Sequence, residues 1–236
     1  MHGDLYRSRA GGISRSAFTL IELLVVVALI AGLAALFIAG VGSGSKAGAL
    51  QSAQATMANL IMAARAKAMA SGMRVRILVH ADTRDVARFR RFIAMQQETS
   101  YLSNAWRPAY ERVSLPEGIC VLPRVTRVPS GFYAGNMAWT KTSVADPLHS
   151  SALDMAVVSA AVDRDDEEVW EVIQFTPFGT MSTNAGDVVL ATVVRRAPGS
   201  FAEGESPVRA EDVKRVRGMA ISTYGVPMLL NGRAAF

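Results

Sequence analysis

Hydrophobic positions along the chain fall into three successive patterns. From Phe18 to Val41 (FTLIELLVVVALIAGLAALFIAGV) they are almost continuous, and Glu22 is the single charge. About 20 apolar residues suffice to cross a ~30 Å hydrocarbon layer as a helix. A carboxylate inside such a run is costly and marks a functional candidate. From Ala47 to Ser71 the spacing becomes helical. Leu50, Ala53, Met57, Leu60, Ile61, Ala64 and Ala68 make one stripe, whereas Gln51, Gln54, Asn59 and Lys67 face elsewhere. Arg65 and Lys67 lie toward the helix C-terminus, where cations are favoured, and Gly72 is placed to cap it.

Beyond Gly72 the period drops to two. Arg74–Val79 and Ala87–Gln96 read as paired strands, with His80–Asp85 as their turn. Shorter strands are expected near Tyr110–Ser114 and Ile119–Leu122. Met155–Ala161, Val169–Thr176, Asp187–Arg195, Val216–Ser222 and Pro227–Leu230 complete the set. Short strands joined by Gly and Pro turns predict an antiparallel sheet or small sandwich leaning on the amphipathic helix. The fold class is therefore α+β, a long N-terminal hydrophobic helix packed on a C-terminal β-rich head. Gly40–Ser45 (GVGSGS) predicts a break within the helix, because each interior glycine costs about 1 kcal/mol against alanine. It matches no nucleotide-binding loop and no nucleophile elbow.

Composition narrows the function. Of the 236 residues, half are hydrophobic and 19% are charged, enough for one membrane segment and one modest domain. The formal charge of +5 falls to +3 once Arg7, Arg9, Arg15 and Asp4, which precede the apolar run, are set aside. The basic balance thus argues only weakly for an anionic partner. A single cysteine, Cys120, excludes an intramolecular disulfide and a cysteine-rich zinc site. Its apolar neighbours predict a buried thiol. The histidines, His2, His80 and His149, show no H-E-x-x-H spacing. No catalytic residue, metal ligand or cofactor is expected, and the chain is read as non-enzymatic. Asp163–Glu168 (DRDDEE) lacks the glycine and spacing of a calcium loop and reads as a solvated turn, with calcium binding there left open.

Residues 1–17 are short, basic and rich in Gly and Ser. The arginines before the apolar run predict a cytoplasmic N-terminus and an external head. Phe18-Thr19-Leu20-Ile21-Glu22-Leu23-Leu24-Val25-Val26 resembles the class III signal of type IV pilins and type II secretion pseudopilins. The resemblance implies a prepilin peptidase that cuts between Ala17 and Phe18 and methylates the new amino terminus at Phe18. Ala17 departs from the glycine usual before the cut. Glu22 becomes the fifth mature residue, whose carboxylate pairs with a neighbouring subunit's amino terminus. Physically, an amine and a carboxylate cannot both stay unpaired in lipid, and pairing between staggered helices would neutralise both. The family often carries a proline near the helix break, a role the glycines would take here.

Leu60–Val79 is similar to the H-type minor pseudopilin and FimT-like pilins, in which an R-x-x-A helix end leads into a first strand. Phe175-Thr176-Pro177-Phe178-Gly179 resembles that family's F-x-P-x-G turn, and Met219–Met228 its closing strand pair around Gly225. Pro177 and Gly179 mark a tight turn, and Gly225 is expected at positive φ. The implied organisation is a leader (1–17), a transmembrane assembly helix (18–41), the glycine break with the amphipathic helix (42–72), and a head (73–236). Residues about 100–150 match nothing in the family pattern and read as an insertion.

The implied protein is a single-pass bacterial inner-membrane subunit with a periplasmic head that assembles into a periplasmic or surface filament. Its partners would be the peptidase, other pilin or pseudopilin subunits, membrane lipid, and secreted protein or DNA. One alternative is a DNA-binding minor pilin contacting phosphate through Arg195, Arg196, Lys214, Arg215, Arg217 and Arg233, although Glu203, Glu205, Glu211 and Asp212 are interleaved with them. The other alternative is a simple membrane-anchored binding domain.

Overall fold

The structure, a computed structural model, describes residues 20–109, 112–123, 127–134, 155–162, 165–182, 185–212, 215–232 and 235–236, without the side chains of 22, 31–45, 155 and 156. The chain divides into two compact units, Met1–Gly44 and Ser45–Phe236. One α-helix, α1 (Leu20–Ser71), contributes to both. The break expected at Gly40–Ser45 is not seen, because the helix is continuous there. Glycine weakens a helix but, unlike proline, keeps its N–H donor, so the ladder can run through.

All seven stripe residues of α1 are buried, with Ala53, Met57, Ile61, Ala64 and Ala68 fully so. One expectation fails: Gln54 is only 3% exposed. Its amide Nε2 donates to the carbonyls of Gly218 (2.6 Å) and Leu230 (2.9 Å) and so ties the helix to the sheet beneath it. No base occupies the last turn of α1, and Arg65 is used in another way, described below. Gly72 caps the helix at φ +64° as expected.

Among the described residues eleven strands follow, all paired antiparallel. They are β1 (Val75–His80), β2 (Phe92–Glu98), β3 (Trp106–Pro108), β4 (Val113–Ser114), β5 (Ile119–Val121), β6 (Met155–Ala160), β7 (Glu168–Phe175), β8 (Gly186–Arg195), β9 (Val208–Ala210), β10 (Val216–Ile221) and β11 (Pro227–Asn231). One sheet runs β3-β2-β1-β7-β6, with β4 also on β2. The other runs β11-β10-β8-β5, with β9 also on β8. The stretch read as an insertion thus supplies β3, β4 and β5, strands of both sheets. β3 and β9, three residues each, are too short for an alternation to be visible in sequence.

The β1–β2 connection is longer than expected. Ala87–Arg91 is not strand: the Asp85 carboxylate accepts from the N–H groups of Ala87 and Arg88, and its carbonyl accepts from Phe89. That capped turn delays β2 until Phe92.

Alternation divides the described side chains among three clusters. Val75, Ile77, Ile93, Met95, Ile173, Phe175, Val188, Leu190, Met219 and Ile221 meet the stripe of α1. Leu78, Ala94, Trp170 and Val172 form a second cluster on the opposite face of the first sheet. Phe89, Cys120, Phe132, Val189, Ala191 and Phe236 form a third on the second sheet. Cys120 is buried as expected, and burial pushes its thiol up to about 12.

Candidate functional site

The assembly residues implied by the sequence divide by position. Ala17 and Phe18 lie outside the described residues, and Glu22 lies on α1 with its side chain outside them. The neighbours of Glu22 are described. Leu20, Ile21, Leu23, Leu24, Val25, Val26, Val27, Leu29 and Ile30 are exposed, from 46% for Val26 to 82% for Leu20. An amphipathic surface helix buries one stripe and shows polar groups on the other side. This stretch instead exposes apolar side chains at every angle. At 1.5 Å rise per residue, Leu20–Ile30 extends about 16 Å, roughly half a bilayer's hydrocarbon thickness. Among the described residues, no helix is long and apolar enough to cross a membrane.

The structural motifs of the head converge on one point. Arg65, the arginine of the R-x-x-A helix end, donates through Nε to the carbonyl of Gly179 (3.2 Å) and to that of Tyr224 (2.9 Å). Gly179 ends the F-x-P-x-G turn that follows β7, and Tyr224 precedes Gly225 in the β10–β11 turn. A helix cation therefore clasps a turn from each sheet. Thr176 closes the first turn through a 2.7 Å hydroxyl contact with Thr180, and its carbonyl accepts from the N–H of Gly179. Both glycines hold a positive φ, and Gly225 also has backbone where its Cβ would stand. Gly179 has φ +74°, and a Cβ there would lie 2.7 Å from the Met69 sulfur; Gly225 has φ +72°, and its Cβ would lie 2.7 Å from the Gly179 carbonyl. The expected positive φ at Gly225 is thus present, with a close approach the sequence did not announce.

The clasp is bordered by exposed apolar groups. Phe178 is 83% exposed and Tyr224 71%, and Val226, Met228 and Met69 are also exposed. The hydrogen bonds of Arg65 hold α1 against one turn of each sheet.

Of the basic residues considered for DNA contact, the four described ones each have a partner within the chain. Arg195 lies 3.2 Å from Glu117 and Arg215 3.5 Å from Asp212. Arg196 reaches the Glu205 carboxylate and the Ser206 and Ser200 carbonyls, and its guanidinium sits over Phe201. Arg217 donates to Asn231 and Gln54. Lys214 and Arg233 lie outside the described residues, as does Asp163. Asp165, Asp166 and Glu167 are exposed, whereas Glu168 is buried in an ion pair with Arg88 (2.6 Å). Among the described residues, no group of three His, Cys, Asp or Glu side chains is placed to hold a metal.

Sequence reading missed the buried charges of the first sheet. Arg90 and Glu171 form a bidentate pair, each side chain 2% exposed, with contacts of 2.5 Å. The Arg90 backbone, at φ 59°, donates its N–H to the His80 carbonyl and accepts at its own carbonyl from the Val121 N–H, linking β1 to β5 and hence the two sheets. His80 is fully buried, 3.6 Å from Glu168 and edge-on to Trp170. Arg74 is paired with Glu98, which its guanidinium holds down at about 2. The only hint in sequence was the density of arginines from 74 to 91. Which carboxylate Arg88 and Arg90 would meet depends on pairing across some eighty residues.

No protein-family model matches this chain, and no curated protein does. Two solved structures of the minor pseudopilin EpsH from the type II secretion system of Vibrio cholerae are similar to it. One is 15% identical, over 78% of this chain and 95% of that one, with a TM-score of 0.36. The other is 16% identical, over 80% and 96%, with a TM-score of 0.38.

Proposed function

We propose that this chain is a non-enzymatic, pilin-like subunit of a filament, of the type II secretion or type IV pilus kind. The observation that carries the reading is the N-terminal apolar stretch. Phe18–Val41 holds one charge, Glu22, and Leu20–Ile30 is a helical stretch whose described apolar side chains are exposed all round. Such a surface is stable only in lipid or among other apolar helices. The same segment serves both states: an inner-membrane anchor for the stored subunit and a bundled core for the assembled one. Prepilin peptidase would cleave Ala17–Phe18 and methylate Phe18. The carboxylate of Glu22 would then meet the amino terminus of a neighbouring subunit, while the head stays periplasmic and contacts other subunits or cargo.

Further support comes from within the head. The R-x-x-A helix end, the F-x-P-x-G turn and the Gly225 turn were singled out by resemblance, and they meet in one clasp around Arg65. The DNA-contact alternative draws no support from Arg195, Arg196, Arg215 and Arg217, whose guanidinium groups are engaged within the chain.

The test is Glu22→Ala in a strain making the machine. Mass spectrometry of the N-terminus should show normal removal of residues 1–17, while cross-linking into filaments is lost. Normal assembly of Glu22→Ala subunits would refute the charge-pairing mechanism.

A further inference from the structure

Three arginines are buried among the described residues, and one of them lacks a carboxylate. Arg88 has Glu168 and Arg90 has Glu171. Arg76, on β1 and 8% exposed, has no carboxylate partner among the described residues. Its Nε and Nη2 both donate to the Oε1 of Gln96, at 2.9 and 2.7 Å, and its guanidinium carbon lies 4.0 Å from the centroid of the Trp106 ring. Nη1 has no acceptor on the chain among the described residues. The neighbouring charge is another cation, Arg74, whose own charge is cancelled by Glu98. Burial, together with Arg74, pulls Arg76 down to about 10.

A buried charge without its counter-charge is destabilising, and a glutamine and an aromatic face offset only part of that cost. Leucine or methionine would fill this position at less expense, so the retained guanidinium points to a ligand. The surroundings say which kind. Trp106 lies on β3, the edge strand of the first sheet. The pairings Arg76↔Gln96, Gln96↔Pro108 and Glu98↔Trp106 put Arg76, Gln96 and Trp106 on the same face. Beside them the turn between β2 and β3 exposes Tyr101 (63%) and Leu102 (58%). The site thus offers one unmatched positive charge, the Nη1 donors left over once Gln96 is satisfied, an indole backing the guanidinium, and an apolar rim at an accessible edge. One charge matches one carboxylate, and the rim matches the side chains flanking it on a protein surface.

We propose that Arg76 and Trp106 form a docking site for an acidic side chain of a partner protein, with Tyr101 and Leu102 packing against its neighbours. The inference stands independently of the filament reading, since it rests on the charge balance of the head alone.

The test uses the full chain in detergent micelles, labelled for side-chain NMR of arginine Nε–H and tryptophan indole N–H. It is titrated with an acetylated, amidated peptide carrying a single glutamate between apolar residues. The glutamine version of that peptide and inorganic phosphate serve as parallel probes. The glutamate peptide should shift the Arg76 and Trp106 signals saturably, and the glutamine peptide should not. Arg76→Gln, which keeps an amide donor for Gln96, should weaken binding by at least about tenfold. Lys46→Gln, at an exposed ion pair elsewhere, should leave it unchanged. If Arg76→Gln does not fold, Trp106→Leu carries the same comparison. Equal binding by Arg76→Gln, or no response of Arg76 to the glutamate peptide, would overturn the proposal. Tighter binding of phosphate than of the glutamate peptide would overturn the assignment to a protein carboxylate.

Discussion

Gly225 offers the sharpest test of how the head is held together. Alanine at this position meets two separate costs. The first is conformational: at φ +72° an L-residue with a Cβ loses about 1–2 kcal/mol. The second is steric, because the new Cβ would stand 2.7 Å from the Gly179 carbonyl oxygen and 2.9 Å from Cε1 of Phe175. Neither neighbour yields easily. Phe175 is fully buried, and the Gly179 carbonyl is the acceptor for Arg65. Overpacking of this kind costs about 1–3 kcal/mol more. Gly232 supplies the control, since it has φ +78° and open space where its Cβ would go. Gly232→Ala should therefore show the conformational cost alone. For a domain of this size each kcal/mol moves the melting temperature by about 2–4 °C. Gly225→Ala should lower it by about 4–20 °C and Gly232→Ala by about 2–8 °C, with the Gly225 shift roughly twice the Gly232 shift, read by near-ultraviolet circular dichroism of the full chain in detergent. Adding Arg65→Ala to Gly225→Ala should cost less than the sum of the two, because both act through the Gly179 carbonyl. Equal shifts for the two glycine variants would refute the close-approach argument.

Four further outcomes are expected. Met57→Ala or Ile61→Ala, each removing a fully buried side chain of α1, should cost about 2–5 kcal/mol in denaturant unfolding. Glu171→Gln should destabilise by about 3–5 kcal/mol by leaving Arg90 charged and unpaired, and Arg90→Met with Glu171→Leu should restore most of that loss. The Glu98 carboxyl, held at about 2 by Arg74 against 4.5 ordinarily, contributes stability that is complete above pH 4.5 and lost as pH falls toward 2. An acid-unfolding series should lose that limb in Glu98→Gln. Cys120, pushed up to about 12 by burial, should resist iodoacetamide at pH 8 in the folded protein and react once urea unfolds it.

Several features were legible in the sequence because they depend only on neighbours along the chain. The period of 3.6 from Leu50 to Ala68 identified the buried face of α1 residue by residue, since a helix repeats its faces locally. Alternation located β1, β7, β8, β10 and β11 to within a residue or two at each end. The apolar run with its lone Glu22 is visible without tertiary information, because it is a property of consecutive residues. Errors arose where a local rule met a non-local partner. Gln54 looked like a surface residue and is instead buried, because Gly218 and Leu230 present carbonyls to it from a sheet edge more than 160 residues away. The glycines at 40–45 suggested a break, but a propensity cost alone does not end a helix that keeps its donors.

The sequence by itself thus determined which faces are apolar, where strands alternate and which motifs resemble pilins. Only the tertiary structure decided what those motifs do together. Pairing across the sheets brings Arg65, Gly179 and Tyr224 into one clasp, gives Arg90 its carboxylate, and leaves Arg76 buried without one. The physical reason is that charge and hydrogen-bond balance are properties of a site in space. They can be summed only after the chain has brought distant residues within a few ångströms of one another.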